Sequence, residues 1–357
     1  MRYYFIILFL VVTKISYSQS LVTFADSVRQ HYHIPALSFA VLSSDSILEC
    51  HTMGVRRMNT QLMVRPGDRF HVGSNTKAIT AFIAALLVKE GKISWNTTIF
   101  SLYPAWKEKS RRVYDDVTLE QLLTFRGKLP GYTYTFEKPT DKDFSGNDAQ
   151  QRLQLAQYFL AQPPMKEQQQ GLTPSNVDYI LAGLMLEKAS GKPYKQLVKE
   201  LGERLDIDFR FDYPNLSDST QPWGHDGQLQ PLPPAVQYKM NWLLSAGNIN
   251  VNMTGYCRFV QLQLKGLKGK TAILPRQTFE QLHFGWPVFS FGWFNHVDST
   301  THHHISSNEG NAGAFITQVY VVKEADRAYV IFTNAATAEA AEGIAVLRKE
   351  LMRRYGK

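Results

Sequence analysis

A serine set directly before a long apolar run, with a lysine three residues on, constrains this chain more than any other feature. The stretch from Phe70 to Lys92 reads FHVGSNTKAITAFIAALLVKEGK. From Ala78 to Val88 it is apolar nearly all round, the pattern of a helix buried on every side. A helix beginning at Ser74 puts that hydroxyl and the Lys77 ammonium on one face, about one turn apart. The N–H groups and positive dipole end of such a helix stand beside the serine oxygen and favour negative charge there. Serine is also a favoured N-cap, so Ser-x-x-Lys alone is equally the start of an ordinary helix. The buried helix separates the two readings. An ammonium at its mouth needs partners or a use, because an unpaired buried charge is costly. The pattern fits a serine nucleophile, Ser74, with Lys77 as its proton acceptor.

At 357 residues, 44% apolar and 20% charged, the chain has ample material for a large core in one domain or two intimate ones. Residues 1–18 read as a separate object. Arg2 precedes the apolar run from Tyr3 to Val12, and Ser16-Tyr17-Ser18 supplies small residues where a signal peptidase reads. A secretory signal is expected there, too short to span a bilayer, with an exported, periplasmic domain over 19–357. No later stretch is long and apolar enough for a membrane span. The formal charge of +8 falls to +6 without Arg2 and Lys14, and the basic residues are dispersed with no nucleic-acid motif among them. Cys50 and Cys257 do not make a disulfide framework, and both are expected as buried free thiols.

Strand patterns lie at the two ends of the chain. Leu37–Leu42 and Ile47–Val55 flank Ser43-Ser44-Asp45-Ser46, a hairpin signature. Near the other end Phe289–Phe294, Ile316–Val322 and Ala328–Phe332 read as strands, and Thr337–Tyr355 as a helix with Ile344, Leu347, Leu351 and Tyr355 on one stripe. Between them come helices at Leu119–Thr124, Gln150–Leu160, Asn176–Ala189 and Tyr194–Leu205. One antiparallel sheet built from both ends (about 35–55 and 289–332), flanked by helices and carrying an inserted, mainly helical lobe (about 74–288), is the expected α/β architecture. Loops rich in Pro, Gly and Tyr, such as Leu129–Thr135 and Gln221–Pro234, are long enough to shape a cleft.

Five segments, taken in order, resemble the serine β-lactamase and penicillin-binding-protein superfamily, nearest to class C β-lactamases and their esterase and D-aminopeptidase cousins. Phe70-His71-Val72-Gly73-Ser74 with Glu90-Gly91-Lys92-Ile93 is similar to the nucleophile helix. Thr118–Pro130 (TLEQLLTFRGKLP) resembles the loop after it, and Pro174-Ser175-Asn176 with Gly191-Lys192-Pro193-Tyr194 the second motif and its helix. Ala246-Gly247-Asn248 through Arg258-Phe259 is similar to a glycine turn and helix start. Asn308-Glu309-Gly310 through Phe315, then Phe332-Thr333-Asn334, resembles the third-motif strand and its neighbour. The resemblance runs from about Phe24 to Met352. It implies a β-lactamase/transpeptidase-like fold and acyl transfer through an acyl-enzyme, without metal or organic cofactor. By that resemblance Ser74 is the nucleophile, Lys77 the base or proton relay, and Asn176 a supporting polar group. The oxyanion donors are the backbone N–H groups of Ser74 and of Asn311, next to Gly310.

Two positions depart from the superfamily pattern. Pro174 stands where the second motif carries tyrosine, and Asn308 where the third carries lysine or histidine. Proline has no proton to exchange, and loss of a general base costs about 10²–10⁴-fold in rate. Phe125-Arg126-Gly127-Lys128 replaces a His-Thr-Ser-Gly type loop. Three outcomes stay open: a slow serine hydrolase of small esters, amides or peptides, a catalytically silent binding protein on the same fold, and, ranked lower, a peptidoglycan DD-peptidase or β-lactamase. The last requires a cation for the substrate carboxylate, for which Arg126 or Lys128 is the candidate. Tyr132 and Tyr134 read as cleft lining, Tyr179 as core, and Trp223, His225 and Trp242 as candidate walls of the acyl pocket. His302-His303-His304 with His296 lacks a carboxylate or thiolate at metal-site spacing and reads as a solvated loop.

Overall fold

The computed structural model of the chain describes residues 20–133, 138–233 and 241–356; the expected signal segment and Tyr134 lie outside them. Among the described residues ten strands fall in chain order: β1 Ala36–Leu42, β2 Ile47–Gly54, β3 Arg69–His71, β4 Arg210–Phe211, β5 Ile249–Asn252, β6 Phe289–Ser290, β7 Trp293–Val297, β8 His304–Asn311, β9 Ile316–Val322 and β10 Arg327–Thr333. Seven form one antiparallel sheet in the order β2-β1-β10-β9-β8-β7-β6. It is built from the two ends of the chain, as the sequence pattern suggests. β1 joins the ends by pairing with β10 from Leu37↔Thr333 to Leu42↔Ala328.

β1 (ALSFAVL) is buried throughout because both faces of the sheet are covered. Ala36, Ala40 and Leu42 enter the core shared with the helical lobe, while Leu37, Phe39 and Val41 enter a second core under the terminal helices. Those helices are Leu21–His31, capped by Ser20, and Ala338–Tyr355, capped by Thr337, whose Ile344, Leu347 and Leu351 are fully buried. β2 is an edge strand, and this corrects one expectation. Cys257 is buried, but Cys50, opposite Ala40 on the rim, is exposed; both thiols are free.

The expected strand Phe289–Phe294 is broken in two, because Phe291 (φ 37°) and Gly292 (φ 90°) turn the chain between β6 and β7. β8 carries the polar sequence HISSNEGN, which has no apolar alternation to announce a strand. His304 opens it and its Nδ1 lies 2.8 Å from Glu324 Oε1, while His302 (φ 56°) sits in the preceding turn. The lobe between the sheet halves is mainly helical but holds a second, three-stranded sheet, β3-β5-β4. Arg69 locks it, donating to Asn250 Oδ1 at 2.6 Å and Asp208 Oδ2 at 3.0 Å. At the centre runs the helix Thr76–Lys89, buried from Thr76 to Leu87 and packed on the helices Asn176–Ser190, Tyr194–Leu205 and Leu244–Gly247.

Candidate active site

Ser74 does not start the α-helix. It lies in a 3₁₀ turn, Gly73–Asn75, that runs into the helix at Thr76. The turn is fastened from several sides. Asn75 Nδ2 donates to Thr317 Oγ1 (2.8 Å) and Thr317 Oγ1 donates to the Val72 carbonyl (3.0 Å), tying it to β9. The Gly73 N–H donates to His71 Nδ1 at 3.2 Å, and burial pushes the His71 imidazole down to about 4, so it stays neutral as an acceptor requires. Gly73 itself adopts φ 50°, and a Cβ there would approach the Asn311 nitrogen to 2.9 Å. Gly310 permits the same approach from the other side, since a Cβ on it would meet the Val72 carbonyl oxygen. These close contacts bring β8 against the serine turn.

Lys77 is buried, and its Nζ has three partners: Ser74 Oγ at 2.9 Å, Asn176 Oδ1 at 2.8 Å and the Ala246 carbonyl at 2.7 Å. Loss of solvation brings the ammonium down to about 7, with Asp178 pulling the other way. A neutral amine has two N–H groups and one lone pair. Two of the three partners are oxygens that can only accept, so they take the N–H groups. The lone pair is left for Ser74, the one partner with a proton to give. The orientation of Asn176 is fixed independently, because its Nδ2 donates to the Tyr132 carbonyl at 2.8 Å. Asn176 is the first residue of its helix, whose cap, Ser175, accepts from the Val177 N–H and donates to the Pro130 carbonyl.

A cavity of about 390 Å³ opens over Ser74 and Lys77, walled by Phe125, Tyr132, Pro174, Phe289, Phe294, Asn308 and Glu309. A second of about 220 Å³ adjoins it and is lined by Ser74, Asn176, Gly247 and Asn311, so the two residues expected to give the oxyanion donors border one cavity. Phe125 is held at φ 56°, costly for a bulky residue, and stacks on Phe289 with ring centroids 4.1 Å apart. The amide nitrogen of Asn308 is committed to the backbone. The residue is buried, and its Nδ2 donates to the Ser74 carbonyl at 3.3 Å and to the Gly292 carbonyl.

Ser74, Lys77, Asn176, Pro174, Asn308, Gly310 and Asn311 thus converge on one place. Other expected groups do not. Arg126 stacks on Trp286 (4.4 Å) and donates to the carbonyls of Thr124, Pro287 and Phe289, and Lys128 pairs with Glu167 at 2.7 Å. Neither lines the cavity. Trp223 stacks under Arg57, His225 is buried between Met58 and Asn334, and Trp242 donates to Gln151; none walls the acyl site. Tyr132 does, and Tyr179 is core, its hydroxyl donating to the Leu123 carbonyl and its ring lying 5.5 Å from Lys77 Nζ. Asp178 escaped sequence reasoning, since an acidic residue in the first turn of a helix is ordinary. It is fully buried, neither oxygen has a hydrogen bond among the described residues, and burial pushes its carboxyl well above the usual range. The Ala246 carbonyl also went unforeseen, as no side chain marks it.

A two-ended antiparallel sheet with a helical lobe, and a serine and lysine at the mouth of its central helix, is the fold of the serine β-lactamase and penicillin-binding-protein superfamily. The chain belongs to the Beta-lactamase family, whose profile matches residues 22–351. Among solved structures, D-amino acid amidase from Ochrobactrum anthropi SV3, complexed with L-phenylalanine amide, superposes with a TM-score of 0.74 at 16% identity, covering 94% of this chain and 99% of that one. A class C beta lactamase from Rhodobacter sphaeroides superposes with a TM-score of 0.72 at 15% identity, over 93% and 99%. At such identities the likeness concerns the fold alone. Unguisins hydrolase ungD' of Aspergillus campestris is 28% identical over 185 residues, 47% of this chain and 32% of its own length. The chain spans about a third of the length of the curated relatives it matches.

Proposed function

We propose that the protein is an exported serine hydrolase of small esters or amides that works through an acyl-Ser74 intermediate. One observation carries this reading: Lys77 Nζ lies 2.9 Å from Ser74 Oγ with its other two partners able only to accept. As Ser74 Oγ attacks the carbonyl carbon, Lys77 takes the hydroxyl proton. The developing oxyanion is received by the backbone N–H groups of Ser74 and Asn311. Collapse breaks the bond to the alcohol or amine, which leaves with the proton held on Lys77. Water then enters by the same path in reverse and frees the acid.

Pro174 on the wall has no proton to give, so leaving groups that need little protonation are favoured and amines are slow. Relatives named as hydrolase and amidase support acyl transfer as the reaction class. A peptidoglycan or β-lactam substrate is disfavoured because Asn308 is spent on two carbonyls while Arg126 and Lys128 point elsewhere. The stacked Phe125–Phe289 wall favours a second reading, a silent binder of aromatic ligands. Mass spectrometry after a fluorophosphonate probe separates the two. Adduct on Ser74 that disappears in Ser74→Ala and Lys77→Ala is expected; folded wild-type protein left unlabelled sinks the hydrolase reading.

A further inference from the structure

His71, the last residue of β3, links the serine turn to a carboxylate through a chain of hydrogen bonds. Its imidazole is fully buried against the rings of Tyr213 (centroids 5.3 Å apart, edge to face) and Phe315 (6.4 Å). Packing alone does not call for nitrogen in that slot, which a phenyl ring of similar size would fill. Both ring nitrogens are nevertheless used. Nδ1 accepts from the Gly73 N–H at 3.2 Å, so the ring proton sits on Nε2, which donates to Asn248 Oδ1 at 3.2 Å. The Asn248 amide is itself held one way round. Its Nδ2 donates to Asp212 Oδ1 at 2.8 Å, and its Oδ1 also accepts from the Asp212 N–H at 3.2 Å. Asp212 thus fixes the amide, the amide fixes the imidazole tautomer, and that tautomer sets a lone pair in front of Gly73.

The peptide after Gly73 carries the N–H of Ser74, one of the two oxyanion donors in the mechanism above. Glycine is free to turn about its own backbone bonds, and Gly73 stands at φ 50°. Without an anchor on its N–H, that freedom would swing the Ser74 N–H with it. Gly247 packs on the far side of the same peptide, where a Cβ would lie 3.7 Å from the Gly73 carbonyl carbon and 3.9 Å from the Ser74 nitrogen. The imidazole therefore grips one end of a unit whose other end is closely covered.

We propose that His71 is a positioning residue for the oxyanion site: its Nδ1 lone pair holds the Gly73 peptide so that the Ser74 N–H meets the developing oxyanion, and Asp212, through Asn248, keeps that lone pair in place. This rests on the acyl-Ser74 reading above.

The test compares His71→Asn with His71→Phe on 4-nitrophenyl 3-phenylpropanoate, with thermal unfolding checked for each variant. An asparagine side chain accepts from the N–H two residues on, where Gly73 stands, whereas phenylalanine fills the slot without an acceptor. In His71→Phe kcat is expected to fall by about 10- to 100-fold with KM within about twofold of wild type, while His71→Asn stays within about fivefold. 2-Phenylethaneboronic acid, which mimics the tetrahedral intermediate on Ser74, should lose affinity in His71→Phe by the same factor as kcat, and the ground-state ligand 3-phenylpropanamide should bind unchanged. Asn248→Ala, one link further out, should show the same pattern at about three- to tenfold, and it decides the matter if His71→Phe does not fold. Equal losses in His71→Asn and His71→Phe, a loss confined to KM, or boronate affinity unaltered in the folded variants overturns the proposal and leaves the hydrolase reading intact. So does a 15N NMR spectrum of wild type with the His71 proton on Nδ1, a readout that needs no activity. If wild type neither turns over the ester nor is labelled at Ser74, the hydrolase reading fails and this proposal with it.

Discussion

The two sides of the cavity have had different fates. On the serine side the groups around the hydroxyl are tied together: Lys77 reaches Ser74, Asn176 and Ala246, Asn176 is pinned by Tyr132, and the turn is tied to β9 through Asn75 and Thr317. On the facing side stand Pro174, a Phe125–Phe289 stack and an Asn308 that braces the backbone. In the proposed mechanism, activation of Ser74 is local to one helix mouth and independent of the wall across the cavity. Leaving-group protonation and substrate charge are set by the other wall, which can change without disturbing the first.

The sharpest way to break that contrast is to damage the intact side. Lys77→Ala should lower ester hydrolysis by about 10²–10⁴-fold, measured as kcat/KM on an activated aryl ester, because it removes the amine hydrogen-bonded to Ser74 Oγ. A residual rate within tenfold of wild type would mean that the facing wall supplies a base after all. Next comes the proton itself. With the Lys77 ammonium lowered to about 7, kcat/KM should climb about tenfold per pH unit below that value and level off above it. The same shift has a stability consequence. Unfolded, the lysine keeps its ordinary 10.5, so between about 7 and 10.5 the unfolded chain binds more protons and this group's contribution to stability rises with pH. Urea unfolding of wild type against Lys77→Met across that range isolates the slope, which should vanish in the variant.

Damage to the facing wall should act on the fold more than on the chemistry. Asn308→Lys leaves the Ser74 and Gly292 carbonyls without their donor and puts an ammonium in a buried place, a cost of about 1–3 kcal/mol in urea unfolding. A stable, faster Asn308→Lys enzyme would show that the wall is merely missing a cation. The smallest effect is expected outside the cavity: Lys128→Met, which removes a half-exposed pair with Glu167, should change stability by no more than about 0.5 kcal/mol and leave KM for an anionic ester unaltered.

How much of this could be read from the residues varies with the kind of signal. The central helix, the hairpin Leu37–Val55 and the terminal helix announce themselves through apolar pattern, and Ser74, Lys77 and Asn176 through side-chain type. β8 is illegible by pattern because HISSNEGN spends its alternation on small and polar residues that must lie close to the serine turn. The three-stranded sheet is missed because two- to four-residue strands carry no period, and Arg69, which locks it, looks like a surface cation. Asn308 was legible as a departure from a motif, but its use as a brace depends on carbonyls of Ser74 and Gly292, groups that every residue has and no sequence distinguishes. Cys50 shows the limit of local reading: its strand alternates as a half-buried one should, and only its place at the sheet edge exposes it.

The joining of the two chain ends in one sheet also fixes an order of events. The Ala36 N–H is held by Asn334 Oδ1 across a separation of 298 residues, and β1 cannot find β10 until nearly the whole chain is present. Such distant pairings form slowly, since a long loop must close before any contact rewards it. Ser74 and Lys77 belong to the early part of the chain, and Asn308 and Asn311 to the late part. A chain still being made therefore carries Ser74 and Lys77 with no strand opposite, and the cavity over them is completed only when the last strands arrive.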